Sequence, residues 1–215
     1  MKVIAVNGSP RKEWNTAAML EKALAGAADQ GAETELIHLY DLKYTGCTSC
    51  FACKIIGGKS YGKCAVNDDL LPVLRRIEEA DALILGSPMY FGAVSGQMRS
   101  FLERLLFQYL RYNKDHRALV PKRLKTAWIY TMNCPEAFIE QVGYDRYFKQ
   151  NEQLMMIIAD GKPETLCSYE TLQFEDYSKV DSEMFDVEAR QKRHQEVFPQ
   201  DCQKAYELGA RLAAK

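Results

Sequence analysis

Short apolar runs alternate with longer amphipathic stretches along the whole chain, a pattern that predicts strands and helices taking turns. Strands are expected near residues 2–6, 34–38, 82–86, 125–131 and 165–173. Helices are expected near 16–29, 68–79, 95–111, 145–159 and 185–213, the last interrupted at Pro199. Ala82-Leu83-Ile84-Leu85 and Ala127-Trp128-Ile129-Tyr130 are apolar at every position, as suits an internal strand of a parallel sheet buried on both faces. The pattern predicts an α/β protein: a doubly wound five-stranded parallel sheet of order 2-1-3-4-5, with helices on both faces. In such a sheet ligands bind beyond the carboxyl ends of the strands, where the winding reverses between strands one and three. No repeat, low-complexity tract or linker is visible. Residues 1–215 are therefore expected to form one domain, with a cysteine-rich loop at 46–66 and C-terminal helices at 185–213.

The first expected strand runs straight into Asn7-Gly8-Ser9-Pro10-Arg11-Lys12-Glu13-Trp14-Asn15-Thr16, and a helix pattern follows at once. The first N–H groups of a helix have no partners inside it, and the dipole there favours negative charge. Ser9 and Thr16 add hydroxyls, Asn15 an amide and Arg11 a fixed charge, all able to reach phosphate oxygens. An ordinary helix cap would need one of these residues rather than four. Neither G-x-G-x-x-G nor G-x-x-x-x-G-K-[ST] is present, and Pro10 removes a backbone donor that a pyrophosphate cradle would use. A single terminal phosphate fits better, which points to a mononucleotide and to FMN. The loop after the third strand, Gly86-Ser87-Pro88-Met89-Tyr90-Phe91-Gly92-Ala93-Val94-Ser95, falls on the same edge. Its aromatics suit a flat heteroaromatic ring. The loop after the fourth strand, Thr131-Met132-Asn133-Cys134-Pro135, is expected to border the same pocket.

Composition narrows the picture further. The chain is 47% hydrophobic and 27% charged with a net charge of −1, which gives no sign of a nucleic-acid or anionic-membrane partner. No apolar run approaches the ~20 residues of a membrane span, and no signal-peptide pattern is seen, so a cytoplasmic protein is expected. Of seven cysteines, Cys47, Cys50, Cys53 and Cys64 form C-x2-C-x2-C-x10-C after the second strand. Gly57, Gly58 and Gly62 give the longer arm room to fold back. Four thiolates in such a run suit a four-iron four-sulfur cluster. Zinc, or thiols without metal, remain alternatives on spacing alone. Cys134, Cys167 and Cys202 read as small core residues or incidental thiols.

The phosphate loop, the cysteine cluster followed by Asp68-Asp69, and Gly86-Ser87-Pro88-Met89-Tyr90-Phe91-Gly92 occur in that order. With Thr171-Leu172-Gln173-Phe174-Glu175-Asp176-Tyr177 they resemble the flavodoxin-like NAD(P)H-dependent FMN reductases, in particular the iron–sulfur flavoprotein branch. The resemblance implies a flavodoxin-like fold, bound FMN, and a homodimer or homotetramer with the flavin near a subunit interface. It also implies Ser9, Arg11, Asn15 and Thr16 at the FMN phosphate. Pro88, Met89, Tyr90, Phe91 and Gly92, with Thr131, Met132 and Asn133, would line the ring and ribityl chain. Cys47, Cys50, Cys53 and Cys64 would be cluster ligands. The ten-residue third gap is longer than in that branch, and Trp14 stands where many relatives have glycine.

With FMN bound, the flavin carries the chemistry and no side chain is needed as catalytic acid or base. Hydride from NAD(P)H would reach the flavin, and electrons would leave through a cluster or to a small or protein acceptor. A cluster-free NAD(P)H:FMN or quinone reductase and a flavodoxin-type carrier are the alternatives. His38, His116 and His194 sit beside no nucleophile and read as surface or strand-end residues. The basic stretch from Arg111 to Arg123 reads as a solvated loop. The stretch from Gln97 to Phe107 reads as an amphipathic helix facing the core or a second subunit.

Overall fold

A computed structural model describes residues 1–115 and 117–214; His116 lies outside them. Five parallel strands form the main sheet: β1 (Lys2–Asn7), β2 (Glu33–His38), β3 (Ala82–Tyr90), β5 (Lys125–Thr131) and β6 (Glu164–Ser168), in the order β2-β1-β3-β5-β6. The two-residue β4 (Ala93–Val94) folds back antiparallel on the end of β3, so the spatial order is the expected one with a small hairpin added. The intervening helices are α1 (Asn15–Asp29), α2 (Leu70–Glu79), α3 (Gly96–Phe107), α4 (Tyr144–Met155), α5 (Val187–Glu196) and α6 (Phe198–Ala213).

Strand side chains alternate between the two faces of the sheet. Val3, Ala5, Ala82, Ile84, Ala127 and Ile129 pack with α1 and α6. Ile4, Val6, Leu83, Leu85, Trp128 and Tyr130 pack with α2, α3 and α4. All twelve are fully buried, as expected for internal strands covered on both faces. The smaller residues fall on the α1–α6 side, where two helices lie close together, and the larger fill the other layer. There Trp128, Tyr130 and Phe148 form a continuous stack.

Several expected boundaries are corrected. β3 runs on to Tyr90 rather than ending at 86, because the chain pairs there with β4, and α4 ends at Met155 rather than 159. The last strand ends at Ser168 rather than 173, because Glu170 takes a left-handed backbone (φ 48°) and turns the chain out of the sheet. The C-terminal helix breaks at Val197, and Pro199 lies in the first turn of α6. A proline is tolerated there because its missing N–H would have no partner. α3 stops at Phe107, short of 111. Among the described residues, no helix is long and apolar enough to cross a membrane.

Candidate functional site

The carboxyl ends of β1, β3 and β5 meet at one edge, and hydrogen bonds fasten their loops together. Asn7 ends β1; its Nδ2 lies 3.0 Å from His38 Nδ1, and its Oδ1 accepts from Ser9 N at 2.9 Å. Gly8 N donates to Gly86 O at 2.8 Å, and Gly8 O accepts from Ser95 Oγ at 2.5 Å. Ser95 also caps α3 by accepting from Met98 N at 3.2 Å. A Cβ at residue 8 would come within 2.9 Å of Met98 Cβ, so glycine is what lets the first loop lie against α3. Ser9 is buried, and its hydroxyl accepts from Arg11 N at 3.1 Å. Trp14, the residue before α1, offers no side-chain cap. The first-turn N–H groups and the positive end of the dipole thus lack a capping side chain. Thr16 is buried one residue in, with its Oγ1 2.7 Å from Thr131 Oγ1 on β5.

Over this loop lies a strap, residues 170–174, most of which falls within the strand expected at 165–173. Leu172 O accepts from Trp14 Nε1 at 3.0 Å and from Asn15 Nδ2 at 2.8 Å; Gln173 O accepts from Arg11 Nη1 at 2.7 Å. The strap is tied down by Thr171 N, which donates to Met132 O, and by Gln173 N, which donates to the Tyr177 hydroxyl. Arg11 and Asn15 therefore grip protein carbonyls. Both keep donors in reserve, since a guanidinium carries five N–H bonds and an amide two.

The loop after β3 is a two-residue hairpin turn at Phe91-Gly92, both with positive φ (48° and 85°). Tyr90 is exposed and Phe91 fully so. Burial of part of the Tyr90 ring pushes its phenol above the usual range, while the nearby Arg11 charge pulls it down. Met89 and Met132 differ from Tyr90 and Phe91: both are buried in the core below the edge. The Met132 backbone is engaged as well: its N–H donates to Ser168 O and its carbonyl accepts from Thr171 N. Pro88 is half-buried and Thr131 buried. Asn133 O accepts from Arg190 Nη1 at 2.9 Å, whereas the buried Asn133 Oδ1 finds no partner among the described residues.

The cysteine loop packs along α3 away from this edge. Cys47, Cys50, Cys53 and Cys64 line one small cavity together with Arg104, Phe107 and Gln108. Cys47 N donates to Glu103 Oε2 at 3.2 Å and Cys64 N to Gln108 Oε1 at 2.9 Å, so successive turns of α3 fix both ends of the loop. Lys54 donates to the carbonyls of Phe107, Gln108 and Leu110 and closes the carboxyl end of the helix. Desolvation pushes the buried Cys53 thiol above its ordinary value, with the Lys54 charge opposing. Ser49 and Phe51 adopt left-handed backbone (φ 53° and 57°), which lets the short C-x2-C segments fold back on themselves. Among the described residues, no group of three His, Cys, Asp or Glu side chains is arranged to hold a single metal ion.

Of the other residues singled out, Cys202 is a core residue of α6, and Cys134 and Cys167 are half-buried beside the core. His38 ends β2, and His194 stacks on Phe198. Sequence reasoning missed Asn7, Ser95, Arg104 and Gln108. Arg104 left a signal: an arginine inside Phe101-Leu102-Glu103-Arg104-Leu105-Leu106, on the face of the helix that carries Phe101 and Leu105.

The sheet order and an uncapped helix start at its switch point define a flavodoxin-like α/β protein. The chain belongs to the NADPH-dependent FMN reductase family, whose profile matches residues 1–123. An iron-sulfur flavoprotein of Methanocaldococcus jannaschii is 44% identical over 104 residues, 48% of this chain and 51% of that protein. One from Archaeoglobus fulgidus is 39% identical over 106 residues, 49% of this chain and 46% of the relative. The chain thus spans about half the length of the curated relatives it matches. An NAD(P)H:quinone oxidoreductase from Methanothermobacter marburgensis superposes with a TM-score of 0.72 at 14% identity, covering 99% of this chain and 98% of that one. An FMN-dependent NADH-azoreductase from Bacillus anthracis, solved in complex with FMN, superposes with a TM-score of 0.65 at 11% identity, covering 99% of each. At these identities the likeness carries the fold.

Proposed function

We propose that this chain is an FMN-dependent oxidoreductase of the iron–sulfur flavoprotein type, passing electrons between NAD(P)H or a reduced carrier and a small or protein acceptor. The observation that carries the reading is the role of α3. Its capped start is tied to the phosphate loop through Ser95 and Gly8, and its far turns brace the four-cysteine cavity. At 1.5 Å per residue the two ends lie roughly 14–20 Å apart along the helix.

The residues fit FMN. The α1 start, Ser9 and Thr16 form a buried, hydroxyl-lined place for one phosphate, and Arg11 and Asn15 have donors left to share with it. Asn133 Oδ1 is an acceptor without a donor, which the imide edge of a flavin would satisfy. Tyr90 and Phe91 supply aromatic surface for the ring. FMN would supply the hydride and electron chemistry; these side chains bind, orient and exclude water. The donor set also fits an iron–sulfur cluster. Four thiols line one cavity, and four closely spaced thiolates are the ligand set such a cluster uses. A homodimer or homotetramer with the flavin near the subunit interface belongs to the same reading, on the family resemblance.

Titration of the flavin-free chain with FMN and with riboflavin tests the phosphate site. FMN is expected to bind about 10–100-fold more tightly, as one or two charge-assisted hydrogen bonds would give. Thr16→Val should bring FMN close to the riboflavin affinity while leaving riboflavin binding little changed. Equal affinities for the two flavins in the unsubstituted chain would overturn the phosphate assignment.

A further inference from the structure

Arg104 is a large charged side chain buried deep in the α3 layer, with its side chain 1% exposed. A buried guanidinium persists only when its charge and all its N–H directions are answered. Asp68 answers the charge in a fork, Oδ2 at 2.8 Å from Nη1 and Oδ1 at 3.1 Å from Nη2. The carbonyls of Thr45 and Val66, at 3.1 and 3.3 Å, hold the same two nitrogens from either flank of the cysteine loop. That leaves Nε, which donates to Cys64 Sγ at 3.0 Å. Sulfur is a weak acceptor when it is a neutral thiol. A buried arginine locked by a fork of this kind is costly to build for such a partner. The same contact becomes a strong charge-assisted bond when the sulfur is an anion bound to metal. A second observation fixes Cys64 from the other side: its N–H donates to Gln108 and its carbonyl accepts from Arg75 Nη2 at 3.0 Å. The ten-residue arm that separates Cys64 from Cys53 is thus not loose at its far end.

We propose that Arg104, oriented by Asp68, is a positioning and tuning residue for the metal centre held by Cys47, Cys50, Cys53 and Cys64. It fixes the Cys64 sulfur and raises the reduction potential of the centre through its Nε–H···S bond. The inference rests on the iron–sulfur reading of the cysteine loop. One-electron reduction adds one negative charge to the cluster and its thiolates. A fixed positive charge and an N–H donor on one sulfur stabilise the reduced form more than the oxidised one. Arg104→Gln therefore shifts the potential down. Asp68→Asn removes the balancing carboxylate and leaves the guanidinium in place, so it shifts the potential up. Opposite shifts from two substitutions in one ion pair are not what loss of packing produces.

The test uses the full chain reconstituted anaerobically with iron and sulfide, with iron counted per chain and the centre titrated with dithionite under redox mediators. Arg76→Gln, which removes the same charge from an α2 arginine paired with Glu35 of β2, is the control and is expected to leave the potential unchanged. Arg104→Gln lower and Asp68→Asn higher than the unsubstituted chain supports the proposal. If Arg104→Gln fails to fold, the upward shift in Asp68→Asn carries the test alone. An iron-loaded pair of variants with unchanged potentials, or with both shifted the same way, overturns the role of Arg104 while leaving the cluster standing. An unsubstituted chain that takes up no iron overturns the cluster reading and the inference with it.

Discussion

Phe91 combines full exposure with a left-handed backbone at φ 48°. A bulky L-residue reaches that region at a cost of roughly 1–2 kcal/mol. The turn it makes with Gly92 is one that Asn-Gly forms without strain. Phe91→Asn is expected to stabilise the fold by up to about 1 kcal/mol, read as a higher urea midpoint, and to weaken FMN binding by removing aromatic surface beside the ring. An unchanged FMN affinity would remove Phe91 from the flavin site. The exposure of Tyr90 and Phe91 at the switch point follows from their place at the end of β3. The burial of the Met89 and Met132 side chains has a specific cause. β3 runs on to Tyr90, so Met89 continues the inward face of Leu83 and Leu85. Met132 does the same after Trp128 and Tyr130. Strand periodicity extended by a few residues would have turned both toward the core.

The pair α1 and α6 shows what an element-level reading reaches and what it does not. Both helices were visible from their 3.6-residue pattern. Their closeness was not, because it depends on which glycines face each other. A Cβ on Gly209 would fall 1.7 Å from Ala23 O, and one on Gly26 would fall 1.9 Å from Tyr206 O. Backbone cannot yield at such distances, so the helices must separate. Gly209→Ala is expected to cost about 1–3 kcal/mol or more, read as a lower midpoint in chemical denaturation; an unchanged midpoint would contradict this packing. The strap over the loop after β1 was hidden for another reason. Its residues read as the end of the strand expected at 165–173, while their hold on Arg11, Trp14 and Asn15 runs through backbone carbonyls, which leave no mark in a sequence. The four cysteines, by contrast, were grouped correctly from spacing alone, since short gaps confine them to one neighbourhood.

At the scale of the whole molecule, several buried acids hold their protons more tightly than they would in an unfolded chain. Burial pushes the Cys167 thiol up to about 12 and lifts the Tyr109 and Tyr130 phenols above their ordinary range. A raised folded pKa contributes stability that is fully present below the unfolded pKa and is lost as pH rises toward the folded one. Stability should therefore be flat near neutrality and fall as pH climbs past about 8.5 for the thiol and about 10 for the phenols. Urea midpoints measured from pH 7 to 11 check this; a midpoint constant or rising across that range would contradict it. Sheet order and switch-point location were legible because parallel-sheet topology follows from a few chain-wide rules. The bracing of the cysteine loop by α3 was not, because contacts between residues 45–66 and 103–108 depend on side-chain direction rather than on pattern.

The most direct measurement is the absorption spectrum of the chain purified without oxygen, with iron and acid-labile sulfide assayed on the same sample. The account predicts flavin bands over a broad iron–sulfur absorption, with about four irons and four sulfides per chain. Flavin without iron would contradict the metal centre, and protein that takes up no flavin even after FMN is added would contradict the account as a whole.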